Sequence, residues 1–111
     1  MKARYTVKKN SDFRRIYAKG RSAVTPYLVV YCRKNRLGVI RSGFTVSAKL
    51  GHAVVRNRVK RRLREIFRLN SEKLPGSCDY IIVARARSVR ASYRELEKAF
   101  LEAVGKLEAK Q

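Results

Sequence analysis

A strongly basic segment is the part of this chain whose residue types and spacing could do chemistry. It runs from Val55 to Phe67 and reads VRNRVKRRLREIF. Residues 56–68 include one acid, Glu65, and seven basic residues: Arg56, Arg58, Lys60, Arg61, Arg62, Arg64 and Arg68. Guanidinium groups bind phosphates and base edges through paired hydrogen bonds. The chemistry indicated is therefore recognition of a polyanion.

The same segment has the period of an amphipathic helix. At about 100° per residue, its apolar residues fall on one stripe. This stripe consists of Val55, Val59, Leu63, Ile66 and, at its edge, Phe67. The opposite side presents Asn57, Arg61, Arg64 and Arg68. The stripe predicts packing on a core, and the basic side predicts a partner outside the fold.

Like charges recur along this predicted helix at a spacing that is unfavourable without a partner. Lys60 lies four residues before Arg64, which in turn lies four residues before Arg68. Each such pair destabilises an isolated helix by a few tenths of a kcal/mol. Arg56 and Arg58 also lie near the helix N-terminus, where the dipole disfavours cations. A bound phosphate would offset both effects, so we expect nucleic acid here rather than a solvated face.

Side chains for protein-based catalysis are sparse in the sequence. His52 is the single histidine, and we expect it to be a connector or helix-cap residue. The acids are scattered without the spacing of a two-metal or acid–base pair, and no phosphate-binding glycine loop or nucleophile elbow is present. We therefore predict no protein catalytic residue and no self-sufficient enzyme.

Aromatic residues indicate the kind of nucleic acid. Phe13 and Tyr17 share one face of a predicted first helix. Tyr27 and Tyr31 alternate onto one face of the strand that follows. If these two faces meet across a groove beside the arginines, they could grip a single strand by stacking and backbone charge. The alternative is that the rings are ordinary core residues.

The composition favours a nucleic-acid partner over a general solubility role for the charge. The chain has 111 residues, 45% of them hydrophobic, and a net charge of +20. Residues 92–111 carry four basic and four acidic side chains, so the whole excess lies in residues 1–91. Such a charge opposes compaction unless a polyanion offsets it.

The cysteines and the hydropathy of the chain indicate its cellular compartment. Cys32 and Cys78 lie in or beside apolar strand patterns, so we expect buried free thiols and a reducing compartment. No segment approaches the ~20 apolar residues of a membrane span, and no secretory signal follows the N-terminus. We expect a cytoplasmic protein with no membrane partner.

The secondary-structure pattern predicts one α+β domain over residues 1–111, with helices on a small mixed sheet in the order α-β-β-β-α-β-α. The predicted helices cover Ser11–Lys19, a segment that follows the connector Ala48–His52 and ends near Leu69, and a segment opened by the capping-box pattern Ser92-x-x-Glu95. The predicted strands are Tyr27–Arg33, Leu37–Ile40, Gly43–Ser47 and Asp79–Arg85, the last one central. Ser22–Pro26 is expected to be a loop, and residues 41–43 a break or bulge.

Three segments together resemble the protein component of bacterial ribonuclease P. The central one reads GFTVSAKLGHAVVRNRVKRRLRE; it is preceded by KKNSDFRRIYAKG and followed by DYIIVAR. The resemblance extends from Val7 to about Val104. Its most diagnostic part is Arg56-Asn57-Arg58, with Lys60-Arg61 on the following turn.

This resemblance implies a ribonucleoprotein enzyme that removes the 5′ leader of precursor tRNA by hydrolysing a phosphodiester. In the family the RNA subunit is catalytic and holds the Mg²⁺ ions, while the small protein binds that RNA and the leader. It implies no metal held by the protein and no required protein partner. It also implies a two-layer α/β sandwich whose βαβ crossover around the basic helix is left-handed, an exception to the usual rule.

The resemblance also assigns roles to individual residues. The residues implied to face the catalytic RNA are Arg56, Asn57, Arg58, Lys60, Arg61 and Arg64. Those implied to bind the leader are Phe13, Tyr17, Tyr31, Lys49 and His52. The family often has asparagine where this chain has His52. A structural RNA-binding protein, similar to a ribosomal protein, is the alternative function, and the predicted aromatic groove favours the processing enzyme over it.

Overall fold

Three α-helices form where the sequence predicts them. The computed structural model describes residues 4–109, with side chains for residues 6–108. The helices are α1 (Asn10–Lys19), α2 (Ala53–Asn70) and α3 (Tyr93–Ala109). The capping box before α3 is confirmed: the Ser92 hydroxyl accepts from the Glu95 amide at 3.1 Å, and the Ser92 amide donates to Glu95 Oε1 at 2.9 Å.

A mixed sheet of five strands lies at the centre of the described residues. The strands are β1 (Arg4–Thr6), β2 (Arg21–Val24), β3 (Leu28–Lys34), β4 (Ile40–Thr45) and β5 (Cys78–Ala84). Their order across the sheet is β1-β4-β5-β3-β2. β4 runs parallel to both β1 and β5, whereas β3 is antiparallel to β5 and β2. The central position predicted for the apolar strand β5 is confirmed.

Helices cover both faces of this sheet. Val59, Leu63 and Ile66 of α2 pack with Leu96 and Phe100 of α3 over one face, forming the main core. On the opposite face α1 places Ile16 against Ile81 and Val7, which form a smaller second core. The parallel strands β4 and β5 are joined through α2, as the predicted βαβ unit requires. The α+β class with a mixed sheet is therefore confirmed, and α1 adds a partial layer.

Two strand predictions are wrong, and β1 was not predicted. Residues 21–24 form the edge strand β2 instead of a loop, because they pair along their length with β3. Residues 40–45 form one unbroken strand instead of two segments with a break at 41–43. Residues 35–39 form the preceding turn, in which Gly38 has a φ of 73°. From α1 onward the order of helices and strands matches the prediction. The three strands before α2 are, however, residues 21–24, 28–34 and 40–45 instead of 27–33, 37–40 and 43–47.

An ion pair explains why Arg41 can lie inside a strand. Its Nε and Nη2 donate to the two carboxylate oxygens of Asp79, each at 2.7 Å. Asn35 Nδ2 donates to the same carboxylate at 2.8 Å, and the Asp79 side chain is only 5% exposed. Arg41 Nη1 also reaches Asp12 of α1 at 3.4 Å. The strand therefore continues because the charge of Arg41 has partners from β5 and α1.

The Asp79 carboxylate predicts that stability decreases in acid. Burial alone would raise its pKa, but the hydrogen bonds from Arg41 and Asn35 and the charge of Arg41 hold the pKa below its usual range. A carboxylate whose pKa is lowered in the folded state stabilises the protein at pH values above its unfolded-state pKa of about 3.9. This stabilisation is lost as the pH falls through the folded-state pKa. We expect urea denaturation to show this loss below about pH 4. Asp79→Asn should flatten the acid limb, and an unchanged limb would contradict the assignment.

The two cysteines are buried free thiols, as predicted. Burial raises the pKa of Cys32 to about 11, so this thiol is protonated at neutral pH. The single domain expected over residues 1–111 stays a prediction, and residues 1–3 and 110–111 lie outside the described range.

Candidate nucleic-acid interface

The basic helix α2 has the two faces that its sequence predicts. Val59, Leu63, Ile66 and Phe67 are buried, and Val55 is half-buried. The opposite side, formed by Asn57, Arg61, Arg64 and Arg68, is exposed. The apolar stripe thus fixes which way the helix faces, and the basic side remains available to a partner.

The basic residues of α2 do not all face outward. Arg58 Nη2 donates to the Val89 carbonyl at 3.0 Å, and Arg62 Nη1 donates to the Ala91 carbonyl at 3.1 Å. These bonds attach α2 to the segment that precedes α3. Arg58 Nε is buried without a hydrogen-bond partner among the described residues. Part of the predicted RNA-facing set therefore also supports the fold.

Other basic side chains of α2 divide into paired and unpaired groups. Arg68 forms an exposed ion pair with Glu65 at 2.6 Å, and Arg56 Nε donates to the Gly51 carbonyl at 3.2 Å. Lys60, Arg61 and Arg64 have no hydrogen-bond or ion-pair partner within residues 4–109. Among the described residues, these three are the basic members of the predicted RNA-facing set that make no hydrogen bond to the protein.

The N-terminus of α2 carries positive charge without a compensating acid. His52 occupies the N-cap position, but its side chain makes no capping hydrogen bond, and the first turn contains no acidic residue. The free amides and the helix dipole favour an anion here. His52 is exposed, so its cap position is as expected from the sequence, while its predicted leader contact stays a prediction.

Three aromatic rings predicted to bind a single strand form one cluster between α1 and the sheet. The rings of Tyr17 and Tyr31 meet edge to face with centroids 4.8 Å apart, and those of Phe13 and Tyr17 are 6.4 Å apart. The Tyr17 hydroxyl is 2.8 Å from Thr45 Oγ1 at the end of β4. This hydrogen bond joins the aromatic cluster to the strand that leads toward α2.

A cavity of about 390 Å³ brings the aromatic and basic residue sets together. Phe13 of α1 lines one side, and Arg56, Asn57 and Lys60 of α2 line the other. Asn10, Phe44, Thr45 and Val46 complete its wall. These last four were not predicted as site residues: Asn10 begins α1, the other three lie at or just after the end of β4, and only the fold brings them beside α2. The cavity places an aromatic ring, an amide and two cations around one space.

Lys49 lies apart from this cavity. It belongs to the 3₁₀ turn Ala48–Leu50 and lines a second, larger cavity of about 660 Å³. Arg87 and Arg90 line the same cavity, as does Tyr27, whose hydroxyl donates to Glu95 at 2.6 Å. That hydrogen bond raises the pKa of Tyr27 above its ordinary value. The five predicted leader residues are therefore divided between different parts of the surface.

Neither metal clusters nor membrane spans occur in the described part of the chain. Within residues 4–109, no three His, Cys, Asp or Glu side chains are grouped so that they could hold a metal ion. Among the same residues, no helix combines the length and apolar character needed to cross a membrane.

Comparison with known proteins gives consistent matches over nearly the whole chain. The family model described as Ribonuclease P matches residues 1–108. The ribonuclease P protein component of Alkaliphilus oremlandii is 46% identical over 107 residues, which is 96% of this chain and 94% of that protein.

Solved structures of this family have the same fold. The RNase P protein of Staphylococcus aureus aligns with a TM-score of 0.84 and 36% identity, covering 94% of each chain. The RNase P protein of Thermotoga maritima aligns with a TM-score of 0.80 and 32% identity, covering 87% of this chain and 92% of that one. The chain therefore belongs to the ribonuclease P protein component family, which has a role in tRNA 5′ processing.

Proposed function

We propose that this chain is the non-catalytic protein subunit of a ribonuclease P holoenzyme, binding both the catalytic RNA and the 5′ leader of precursor tRNA. The unpaired basic side chains of α2 bind the RNA subunit: Arg61 and Arg64, which are exposed, and Lys60, which is half-buried. The leader lies against Phe13. The observation that carries this proposal is the cavity in which Phe13 meets Arg56, Asn57 and Lys60.

This cavity has the chemistry that an unpaired nucleotide needs. The face of the Phe13 ring can stack on a base, and such stacking tolerates any sequence because every base has a π-face. Arg56 and Lys60 neutralise the adjoining phosphate, and the Asn57 amide can donate to it or to a base edge. Its volume of about 390 Å³ lies within the range of ligand pockets. Mature tRNA has no leader to occupy it, so the cavity distinguishes substrate from product.

The residues around this surface do not suit a catalytic metal ion. The described residues that line the cavity include two cations and no carboxylate, whereas protein sites for Mg²⁺ are built on one or two carboxylates. We assign the Mg²⁺ ions and the hydrolysis of the phosphodiester to the RNA subunit. The protein lowers the repulsion between the leader and that RNA, because its net charge of +20 offsets phosphates on both.

Reconstitution with a bacterial ribonuclease P RNA tests this function. At a Mg²⁺ concentration too low for the RNA alone, we expect the protein to restore cleavage of a leader-bearing tRNA at its mature 5′ end. The variant Arg61→Ala/Arg64→Ala, altered only on the exposed side of α2, should restore less. RNA binding without any stimulation of cleavage would instead support the structural RNA-binding protein.

Arg61 and Arg58 should respond differently to replacement by alanine. Arg61→Ala should reduce the slope of log affinity for the RNA subunit against log salt by about one, with unchanged thermal stability, because Arg61 is exposed and unpaired. Arg58→Ala should weaken the same binding but also lower the melting temperature, because it removes the bond to Val89. Filter binding at several salt concentrations and thermal denaturation provide the two measurements. An unchanged slope for Arg61→Ala would contradict its contact with phosphate.

A further inference from the structure

Gly43 occupies a position in β4 where backbone conformation alone does not require a glycine. It pairs in register with Ile81 of the central strand and is buried. Its φ is not positive, so alanine could adopt the same backbone. Glycine weakens the interior of a strand relative to alanine, and where it occurs it often marks the close approach of another group.

The approaching group is the ring of Phe13. A Cβ atom built on Gly43 would lie 2.7 Å from Phe13 Cζ and 2.9 Å from Cε1. Its next neighbour, Val7 Cβ, would be at an ordinary 3.5 Å. The absence of a side chain at residue 43 therefore leaves room for the outer edge of one ring, the ring that lines the cavity shared with α2.

We propose that Gly43 is a positioning residue for leader binding: the space left by its missing side chain sets where the Phe13 ring lies in the cavity. This inference rests on the proposed function, in which Phe13 contacts the leader. A Cβ at residue 43 displaces the ring rather than the strand, because the clashing atoms are the far end of a side chain that rotates about χ1 and χ2. The ring then moves relative to Arg56 and Asn57. A leader base can no longer stack on the ring while the adjoining phosphate stays beside Arg56 and Lys60.

A double-mutant cycle between Gly43→Ala and Phe13→Ala tests this inference in the reconstituted holoenzyme. The readout is the ratio of the dissociation constants for mature and leader-bearing tRNA. Gly43→Ala should reduce this preference by about 3- to 10-fold, part of what full loss of a stacked ring removes. In the Phe13→Ala background, Gly43→Ala should change the ratio by less than about 2-fold, because no ring remains to displace. Equal effects in both backgrounds, or no effect in either, would overturn the inference.

A matched control separates this effect from a general response to losing a glycine. Gly105 lies exposed on α3, and a Cβ built there has no atom within 4 Å. Gly105→Ala should leave the tRNA preference unchanged. If Gly43→Ala fails to fold, the double variant Gly43→Ala/Phe13→Ala should fold, because it lacks the clashing ring. A double variant that also fails would overturn the inference.

The position of the ring can be measured without RNA. A crystal structure of Gly43→Ala should show the Phe13 ring moved away from β4 while the strand keeps its register with β5. An unmoved ring would overturn the inference whatever the binding data show. If the ring moves but Phe13→Ala itself leaves the tRNA preference unchanged, the proposed leader site is wrong, and Gly43 sets the ring position without a role in leader binding.

Discussion

Replacing Phe13 by alanine is expected to reduce the affinity of the holoenzyme for precursor tRNA by roughly 5- to 150-fold. This range corresponds to the 1–3 kcal/mol that base–aromatic stacking contributes to binding of single strands. Phe13 is the one aromatic residue of the predicted leader set that lines the cavity with Arg56, Asn57 and Lys60. Tyr17 and Tyr31 pack edge to face with each other and do not line this cavity, so we expect their replacement to have a smaller effect there.

The measurement compares precursor tRNA with mature tRNA, because only the former carries a leader. Phe13→Ala should weaken precursor binding and leave mature tRNA binding within about 2-fold, since the proposed contact of Phe13 is with the leader, which mature tRNA lacks. Phe13→Leu is the matched control: it keeps an apolar side chain of similar reach but has no π-face. We expect it to lose most of the precursor preference too. Equal weakening for both tRNAs would mean that Phe13 acts on assembly or folding instead of the leader.

Local periodicity made α2 predictable from the sequence. Its apolar stripe recurs every three or four residues and is buried in the structure as expected. The start of α3 was predictable for a similar reason, because the two hydrogen bonds of its capping box join residues only three positions apart. The apolar stripe and the capping box both depend on residues a few positions apart, so the local sequence is enough to predict them.

The strands β2 and β4 depend on distant residues and were therefore harder to predict. Arg41 and Ser42 look unsuited to a buried strand until Asp79, 38 residues away, supplies a carboxylate for Arg41. Residues 21–24 have weak strand character by themselves and become a strand by pairing with β3. In both cases a tertiary contact overrides the local preference. Such a contact cannot be read from the local pattern of one sequence.

The same limit applies to the candidate site. The helical period of α2 already places Arg61 and Arg64 on the outward side, but it does not show that Arg58 and Arg62 are hydrogen-bonded within the fold. Their acceptors are the carbonyls of Val89 and Ala91, which lie about 30 residues away along the chain. These bonds determine which arginines can be replaced without disturbing the fold.

Arg41→Ala is expected to lower the free energy of unfolding by about 3 kcal/mol at pH 7. Removing one partner of a buried ion pair leaves an uncompensated charge, an effect of roughly 3–5 kcal/mol. We take the lower end because the Arg41 side chain is 20% exposed. After its loss, the hydrogen bond from Asn35 is the one that the Asp79 carboxylate keeps among the described residues. Urea denaturation, in a buffer without polyanions, measures the change.

The pH dependence identifies the cause of this loss. Without Arg41, its hydrogen bonds and charge no longer lower the pKa of Asp79 while burial still raises it, so this pKa is higher than in the wild type. The added destabilisation is present where Asp79 is ionised and diminishes once Asp79 is protonated in both states. The difference between wild type and Arg41→Ala should therefore shrink below about pH 4. Asp79→Asn in the Arg41→Ala background should recover part of the stability at pH 7, because it removes the unpaired charge. A difference that stays constant from pH 7 to pH 3 would show that lost packing, and not the charge, is responsible.

This ion pair also links stability to the candidate leader site. Arg41 contacts Asp12 in the first turn of α1, one residue before Phe13, and lies two residues before Gly43 on β4. Loss of Arg41 should therefore loosen the start of α1 as well as the sheet. We expect Arg41→Ala to reduce the precursor-over-mature preference even at temperatures where the protein stays folded. Asp12→Asn, which removes only the 3.4 Å contact to α1, should reproduce part of that effect with little loss of stability. If Asp12→Asn leaves the preference intact while Arg41→Ala lowers it, the sheet alone and not the α1 contact positions the ring.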